Sequence, residues 1–267
     1  MHNPYDKNIK EPILVNGSTI RFYDDKEVKG NTAERLLFLG RVTKSEKNSE
    51  IGSITYTAKD YMDNLLNSKI TKKWSNKTPE FIAKSAAGMV GVHTGSIINT
   101  KMKMPKLFAS DDTVYNVILR AYYSAHKKNG KKYFMRMNGT KLDIIEKGKI
   151  IDNFMLNQAS SIISSNYTED NDGIVDRVAI YNKSHKKIGQ ISNASWVKQY
   201  GVYQATLTAK SGGKAKAKKM LKSKTREAEI NGIGDNRCVA GCGIWILDKS
   251  TGLKGKFWIE SDSHTCS

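Results

Sequence analysis

Residues 54–65 read ITYTAKDYMDNL, and the spacing of the apolar side chains changes within this stretch. The first half alternates and carries β-branched and aromatic residues, which is typical of a strand. After Asp60 the apolar residues Met62, Leu65 and Leu66 follow helical spacing, and aspartate is a favoured residue at a helix start. The stretch therefore predicts a strand that leads directly into a short helix capped by Asp60.

The residues before this stretch predict an antiparallel β-meander that ends at about Lys59. Asn16-Gly17 is a turn signal between the apolar runs 13–15 and 19–23. The run 36–42, LLFLGRV, follows a polar loop and precedes the alternating segment 52–58. This pattern favours a small barrel or sandwich.

The middle section predicts two more helices and a hairpin. Thr78 and Pro79 suit the start of one helix, and residues 111–113, DDT, suit the start of another. The dipeptide Asn138-Gly139 lies between two alternating segments and predicts a β-hairpin. The predicted apolar faces of the two helices are Phe81, Ile82, Ala86 and Met89 in the first, and Val114, Val117, Ile118, Ala121 and Tyr122 in the second.

The last section returns mostly to strands from about Ile151. Segments 162–167 and 176–181 flank the polar residues 170–173, which suggests a hairpin turn. Residues 214–225 predict a basic helix. Short strands follow at 227–230, 243–247 and 256–259, with glycines between them, as in small barrels. The predicted inner face of the basic helix is Ala215, Ala217, Met220 and Leu221.

The 267 residues carry 44 Lys+Arg against 26 Asp+Glu, a formal net charge of +18. Such a charge favours nucleic acid, an anionic surface or an acidic protein as a partner. Most of the positive charge is lysine, however, which attracts anions without the two-pronged recognition that arginine gives. An A+T-rich coding sequence would produce the same lysine and asparagine excess, so the charge alone has two interpretations.

The basic residues are densest between positions 210 and 226. A docking surface for an acidic protein or nucleic acid is one interpretation, and a solvated helix face is the other. No aromatic residue lies among these lysines, which argues against a platform for stacked bases. The residues concerned are Lys210, Lys214, Lys216, Lys218, Lys219, Lys222, Lys224 and Arg226.

Three cysteines are too few, and odd in number, for a disulfide framework. Cys238 and Cys242 together with His264 and Cys266 would supply four zinc ligands by number. A zinc ribbon, however, repeats a two-residue cysteine spacing in a second pair, and this sequence has no such pair. We expect small, partly buried side chains rather than a metal site.

A search for catalytic patterns finds none of the phosphate-binding, dinucleotide-binding, nucleophile-elbow or zinc-protease motifs. Residues 168–173, TEDNDG, resemble half of a calcium loop. Arg177 and Val178 stand where the closing glutamate belongs, so we interpret the segment as a solvated turn. The sequence therefore predicts no catalytic residue, no metal, no cofactor and no small-molecule substrate.

No apolar run approaches the about 20 residues that span a bilayer. The first residues, MHNPYD, lack the apolar core of a secretory signal. We therefore expect neither insertion into a membrane nor signal-dependent secretion.

The order of the segments resembles the XkdQ/YqbQ-like proteins, which are baseplate hub proteins of contractile phage tails and phage-tail-like particles. The likeness covers nearly the whole chain, although each motif is short. Cys238 and Cys242 fall at positions that vary in that family. The similar segments are 36–42 (LLFLGRV), 54–65 (ITYTAKDYMDNL), 76–82 (NKTPEFI), 213–217 (GKAKA) and 238–244 (CVAGCGI).

The resemblance implies an α+β, mainly β fold with two β-barrel-like tube domains and an inserted α/β domain. The corresponding bounds are 1–59 for part of the first barrel, 60–150 for the insertion, and 151–267 for the second barrel with the basic helix. It also implies a structural role without enzymatic activity. Such a hub forms a ring, expected to be a homotrimer, between the tail tube protein and the central spike protein, and it contacts other baseplate proteins. The expected location is the virion or tail-like particle, assembled in the host cytoplasm.

Two other functions stay open at this stage. Neighbouring tail-tip proteins are often cell-wall hydrolases, and the net charge of +18 suits a nucleic-acid-binding protein. The resemblance further suggests that the chain lacks strands at both ends of a whole hub. We therefore expect residues 262–267 to be weakly ordered or paired with another chain.

Overall fold

The computed structural model describes residues 14–23, 36–48, 53–209 and 213–265. It is mainly β with five helices among these residues, which confirms the α+β, mainly β class. No helix in these ranges is long and apolar enough to cross a membrane. The elements in chain order are β1 Thr19–Tyr23, β2 Leu36–Asn48, β3 Ser53–Lys59, α1 Met62–Asn67, β4 Lys69–Lys77, α2 Pro79–Gly88, β5 His93–Ile97, β6 Met104–Thr113, α3 Val114–Asn129, β7 Tyr133–Asn138, β8 Lys141–Glu146, β9 Lys149–Asn157, β10 Ile162–Asp170, β11 Arg177–Tyr181, β12 Lys187–Ser192, α4 Ala194–Tyr200, β13 Gln204–Thr208, α5 Lys214–Met220, β14 Thr225–Gly232, β15 Cys242–Asp248 and β16 Leu253–Trp258.

The chain divides into two compact units. The first contains Met1–Phe154, Gly234–Trp245 and Lys256–Ser267, and the second contains Met155–Ile233 and Ile246–Gly255. Strands β9, β15 and β16 form one sheet in the order β16-β15-β9. The three predicted domains with bounds at 59 and 150 stay a prediction.

The first unit begins with the predicted antiparallel meander. Its sheet has the order β1-β2-β3, in which Ile20 pairs with Gly40 and Val42 pairs with Ala58. Residue 13 of the first predicted run lies outside the described residues. The sheet as described is open and three-stranded, so the meander is confirmed while closure into a barrel stays a prediction.

Three helices supply one side of the main core of this unit. The N-cap of α1 is Tyr61, which has no side-chain cap hydrogen bond, so the prediction that Asp60 caps this helix is off by one residue. Asp60 Oδ1 does accept a hydrogen bond from the Met62 amide at 2.9 Å. Thr78 and Thr113 cap α2 and α3 through their hydroxyls, and Gly130 ends α3 in the left-handed conformation that favours glycine. The fully buried residues of these helices are Leu65, Ile82, Ala83, Ala86, Ala87, Val114, Val117, Ile118, Ala121 and Ala125.

The predicted apolar face of α3 is confirmed, whereas that of α2 is half wrong. Ile82 and Ala86 are buried, but Phe81 and Met89 are about half exposed. The buried stripe is instead Ile82, Ala83, Ala86 and Ala87, which is narrow and consists mostly of small side chains. Phe81 and Met89 are the most hydrophobic-looking members of the predicted face, but they lie on the side of α2 that is turned partly toward solvent.

The middle section contains three strands that the sequence did not predict. β4 pairs with β6 in an antiparallel sheet, and β5 pairs with β8 in parallel. The sequence does not predict β4, because four of its nine residues are lysines and only Ile70 and Trp74 are buried. The hairpin of β7 and β8 is confirmed, although its two loop residues are Gly139 and Thr140, since Asn138 still pairs with Lys141.

The second unit contains a three-stranded sheet of order β12-β11-β13 with α5 packed against it. β11 pairs with β13 in parallel, and α4, which the sequence did not predict, lies in the connection between them. The buried centre of this cluster is Val178, Ile180, Leu207 and Ala217.

Two predictions in this unit are wrong. Residues 170–173 do form a turn, but the strands around it do not pair: β10 pairs with β14, whereas β11 joins the other sheet. The basic helix ends at Met220 instead of Thr225, because Leu221 is extended and Lys222 forms a β-bridge with Val175. The predicted strands near 227–230, 243–247 and 256–259 are present as β14, β15 and β16.

Candidate partner-binding sites

The first unit contains an open groove with a volume of about 780 Å³, within the range of about 300–1,000 Å³ typical of ligand sites. Strand β7 forms one wall through residues 134–138, and Phe38 and Ala58 of the meander form another. Met62 and Leu66 of α1 and the segment 239–240 complete the lining. The groove is thus mostly apolar and lies along a strand.

Strand β7 is the edge of its sheet, whose order is β5-β8-β7. Because Asn138 and Lys141 flank a two-residue loop, they form a hydrogen-bonded pair, and such pairs recur at every second residue. Arg136 and Phe134 therefore direct their backbone groups toward β8. Tyr133, Met135 and Met137 direct theirs outward, where no described backbone group meets them.

Two glycines hold the aromatic walls of the groove in place. A Cβ on Gly40 would lie 2.5 Å from Cζ of Phe38, so the phenyl ring lies directly over the glycine. A Cβ on Gly241 would lie 2.5 Å from Cδ1 of Phe134, and Gly241 has a φ of +88°. Only glycine allows both the left-handed backbone and this close contact at position 241.

The charged groups around the groove are mostly engaged by neighbours. Lys59 Nζ pairs with Asp63 Oδ1 at 3.0 Å, and Asp262 Oδ1 accepts a hydrogen bond from the Ala240 amide at 2.7 Å. Burial raises the pKa of Asp60 above its ordinary value, against the hydrogen bond from Met62. Arg136 forms no ion pair or side-chain hydrogen bond with another described residue.

The sequence did not reveal this groove. Its walls come from segments that lie between about 20 and 100 residues apart along the chain. In the sequence, only the alternation of Met135, Arg136 and Met137 indicates a two-faced strand. This alternation correctly predicts a hairpin strand. No residue pattern within the strand indicates that its outer edge lines a groove.

The basic helix α5 forms a second candidate surface, in the second unit. Ala217 is buried, and Met220 and Leu221 pack against the same cluster, as predicted, while Ala215 is exposed. The side chains of Lys214, Lys216, Lys218 and Lys219 are exposed, and α5 contains no acidic residue. Lys210 lies outside the described residues.

Not all the basic residues beyond α5 contribute to that surface. Lys224 Nζ contacts Glu169 Oε2, and Arg226 Nε lies 3.1 Å from Glu169 Oε1. Hydrogen bonds from Lys224 and Tyr167 hold the pKa of Glu169 below its ordinary value. Within the described residues, no ion pair or side-chain hydrogen bond engages Lys214, Lys216, Lys218 or Lys222. Lys219 has a further interaction.

Three members of the predicted cysteine cluster, Cys238, Cys242 and His264, belong to the described residues. Burial raises the pKa of the Cys238 thiol to about 11. His264 Nε2 lies 3.1 Å from the Cys238 carbonyl oxygen and 3.3 Å from Asp262 Oδ2. Cys266 lies outside the described residues, and no group of three or more metal-binding side chains occurs within them.

The first half of the acidic segment 168–173 belongs to β10, which ends at Asp170, and the second half forms a turn. Asp170 Oδ1 accepts a hydrogen bond from the Asp172 amide at 2.8 Å, and the Asn171 carbonyl accepts one from the Ile174 amide at 3.0 Å. Arg177 and Val178 belong to β11. This arrangement is a local turn, in line with the sequence-based interpretation.

Comparisons with known proteins identify both a family and a fold for this chain. A family described as YQBQ-like matches residues 5–267. The Bacillus subtilis protein YqbQ is 25% identical over 277 residues, which covers 97% of this chain and 83% of that protein. XkdQ, a protein of the phage-like element PBSX of the same bacterium, is 22% identical over 226 residues, covering 79% of this chain and 69% of XkdQ.

Two solved structures share the fold. The 43 kDa tail protein of prophage MuSo2 from Shewanella oneidensis has a TM-score of 0.60 at 12% identity, over 90% of this chain and 82% of that one. A tail protein from Neisseria meningitidis MC58 has a TM-score of 0.59 at 14% identity, over 84% of this chain and 74% of that one. At these identities the likeness concerns the fold alone.

Proposed function

The chain belongs to the YQBQ-like family, and on that premise we propose that it is a baseplate hub protein of a contractile phage tail or a phage-tail-like particle. The family membership confirms the resemblance that the order of sequence motifs indicated. A role as a structural protein of a phage tail is supported by XkdQ of the phage-like element PBSX and by the tail proteins that share the fold. The position as hub is the further step of the proposal.

The observation that carries the proposal is that the fold of a prophage tail protein extends over 90% of this chain. A hub assignment implies a structural role for both the N-terminal and the C-terminal part of the chain. Residues 1–59 and 151–267 would contribute to two barrel-like tube domains, and residues 60–150 would be the insertion between them. In this arrangement a homotrimeric ring joins the tail tube protein to the spike protein, contacts further baseplate proteins, and is assembled into the particle in the host cytoplasm.

A structural role is proposed in preference to cell-wall hydrolysis. The buried carboxylate of Asp248 is surrounded by the hydroxyls of Ser165, Ser250 and Thr251, which donate hydrogen bonds to it. Its hydrogen-bond partners among the described residues include no histidine and no second carboxylate, so this group resembles neither a serine nucleophile with its base nor the carboxylate pair of a glycoside hydrolase. XkdQ is a protein of a phage-like element and the two proteins that share the fold are tail proteins, which also favours a role without turnover.

Nucleic-acid binding is the other alternative, and the exposed lysines of α5 are the observation in its favour. No aromatic side chain lies on α5, and lysine supplies charge without base recognition. A basic surface of this kind suits an acidic protein neighbour in the particle equally well.

The proposal can be tested by deleting the gene from a strain that produces the particle. We expect mass spectrometry to find the chain in purified wild-type particles, and electron microscopy of the deletion strain to show no complete particle with a spike. Complete, functional particles without the chain would contradict the proposal. Purified chain that degrades peptidoglycan would favour the hydrolase, and salt-sensitive DNA binding at physiological salt would favour the nucleic-acid-binding protein.

A further inference from the structure

We propose that the groove along β7 binds an extended segment of another protein, which adds to the sheet as an antiparallel strand next to β7. This inference goes beyond the hub proposal and does not depend on it, because it concerns a surface of the isolated chain. The segment has apolar residues on both sides of an acidic residue. The unpaired edge of β7 would bind the backbone of this segment, the apolar walls its apolar side chains, and Arg136 its acidic side chain.

The edge of β7 supplies the backbone contacts. Tyr133, Met135 and Met137 each present an N–H and a C=O away from β8, and no described backbone group pairs with them. Unpaired groups of this kind on an exposed edge are a template for an added strand. A six-residue strand of about 20 Å is long enough to align a short segment.

The walls of the groove set the side chains that the added strand needs. Met135 and Met137 lie on the face of β7 that packs against the main core, beside Met62. Residues of an added strand opposite these methionines would lie on the same face, next to the exposed side chain of Leu66. Apolar side chains at those two positions would bury this surface.

Arg136 determines which residue fits between the two apolar positions of the added strand. It points to the other face of β7, lines the groove and forms no ion pair with a described residue. In an antiparallel addition, the residue opposite Arg136 forms a non-hydrogen-bonded pair, in which the side chains are closest. Opposite charges in such a pair are stabilising, so an acidic residue fits this position.

Each carboxylate near Arg136 has another partner in the described structure. Asp143, which lies opposite Arg136 on β8, accepts from the Ser96 amide at 2.6 Å and from Asn138 Nδ2 at 3.3 Å. Asp63 pairs with Lys59, and Asp262 accepts from the Ala240 amide and lies beside His264. Asp60 accepts from the Met62 amide. Arg136 is therefore the charged group of the groove that is left for a partner.

The probe for this proposal is the blocked peptide Ac-Ser-Thr-Leu-Glu-Leu-Thr-Ser-NH2, titrated into the full chain by calorimetry. Two matched peptides accompany it: one with lysine in place of glutamate, and one with both leucine amides methylated on nitrogen. We expect the first peptide to bind, the lysine peptide to bind about two- to five-fold more weakly, and the methylated peptide to lose at least about ten-fold in affinity, because its leucines cannot donate to β7.

The variant Arg136→Glu is expected to reverse the preference between the glutamate and lysine peptides. Lys183→Glu makes the same charge change at an exposed lysine outside both candidate surfaces and is expected to leave both affinities unchanged. Amide hydrogen exchange supplies a second measurement: the amides of Met135 and Met137 are expected to become protected on binding, whereas those of Phe134 and Arg136 are already bonded to β8.

Equal binding of the methylated peptide would overturn the proposal, since it would show that no backbone pairing occurs. So would an absence of binding by the glutamate peptide, or amides of Met135 and Met137 that are already protected in the dilute chain alone. Protection that appears without peptide as the protein concentration rises would overturn it in favour of pairing between copies of this chain.

Discussion

The Oγ atom of Ser165 donates a hydrogen bond to Oδ2 of Asp248, which follows it by 83 residues. The same carboxylate accepts from the Ser250 amide at 2.9 Å, from Ser250 Oγ at 2.6 Å and from Thr251 Oγ1 at 2.7 Å. Asp248 is almost completely buried. These contacts join β10 to the turn between β15 and β16 within the second unit, and they favour the charged carboxylate.

The first prediction concerns acid sensitivity. The hydrogen bonds from Ser165, Ser250 and Thr251 hold the pKa of Asp248 well below its ordinary value in the folded chain. The unfolded chain therefore takes up this proton first as the pH falls, so the stabilisation by Asp248 is present at neutral pH and is lost progressively below about pH 4. Urea unfolding midpoints at pH 7, 5 and 3 measure this effect.

Asp248→Asn is the matched variant for that experiment. We expect it to be less stable than the wild type at pH 7, because the amide cannot accept all of these hydrogen bonds. The difference between the two proteins should shrink at pH 3. A difference that stays constant from pH 7 to pH 3 would contradict the assignment of acid sensitivity to this carboxylate.

Gly241→Ala tests the packing of the groove wall. The new Cβ would strain a backbone with φ of +88° and collide with Phe134, so we expect a loss of about 1–3 kcal/mol in the free energy of unfolding. Gly252→Ala is the matched control, because Gly252 also has a positive φ (+73°) while a Cβ there meets no atom within 4 Å. Equal unfolding midpoints for the two variants would show that Phe134 does not lie over Gly241.

Two neighbouring residues of α3 test the position of the main core. Ile118 is fully buried, so Ile118→Ala should lower the free energy of unfolding by about 2–5 kcal/mol. Leu119 is about half exposed, and Leu119→Ala should change it by less than about 1 kcal/mol. Thermal or urea unfolding of both variants gives the comparison, and the opposite ranking would mean that the helix packs through another face.

A similar pair tests the orientation of α5. Ala217 is fully buried against the sheet of the second unit, so Ala217→Leu should overpack this cluster and cost about 1–3 kcal/mol. Ala215 is exposed, and Ala215→Leu should have little effect. The sequence alone placed both alanines inside, so a large loss of stability in both variants would favour that earlier assignment over the structure.

The sequence predicted those parts of the fold that depend on neighbouring residues. Thr78, Thr113 and Gly130 mark helix ends through contacts within four residues, and the turn near Gly139 pairs adjacent strands. Local chemistry decides such features, so they can be inferred from a short stretch.

Features that depend on distant contacts were not predictable in this way. Asn166 pairs with Glu229 across β10 and β14, and β11 pairs in parallel with β13 beyond an unpredicted helix. β4 was hidden by its lysines, since a strand with few apolar positions has no clear period. The groove along β7 belongs to the same class, because its walls come together only in the folded unit.

A cryo-electron microscopy reconstruction of the purified particle tests the central claim most directly. The hub proposal predicts three copies of this chain in a ring where the tail tube meets the spike, with residues 60–150 as an insertion outside the tube wall. Density for the chain elsewhere in the tail, a ring of another symmetry, or a complete tube-to-spike junction that lacks the chain would contradict the proposal.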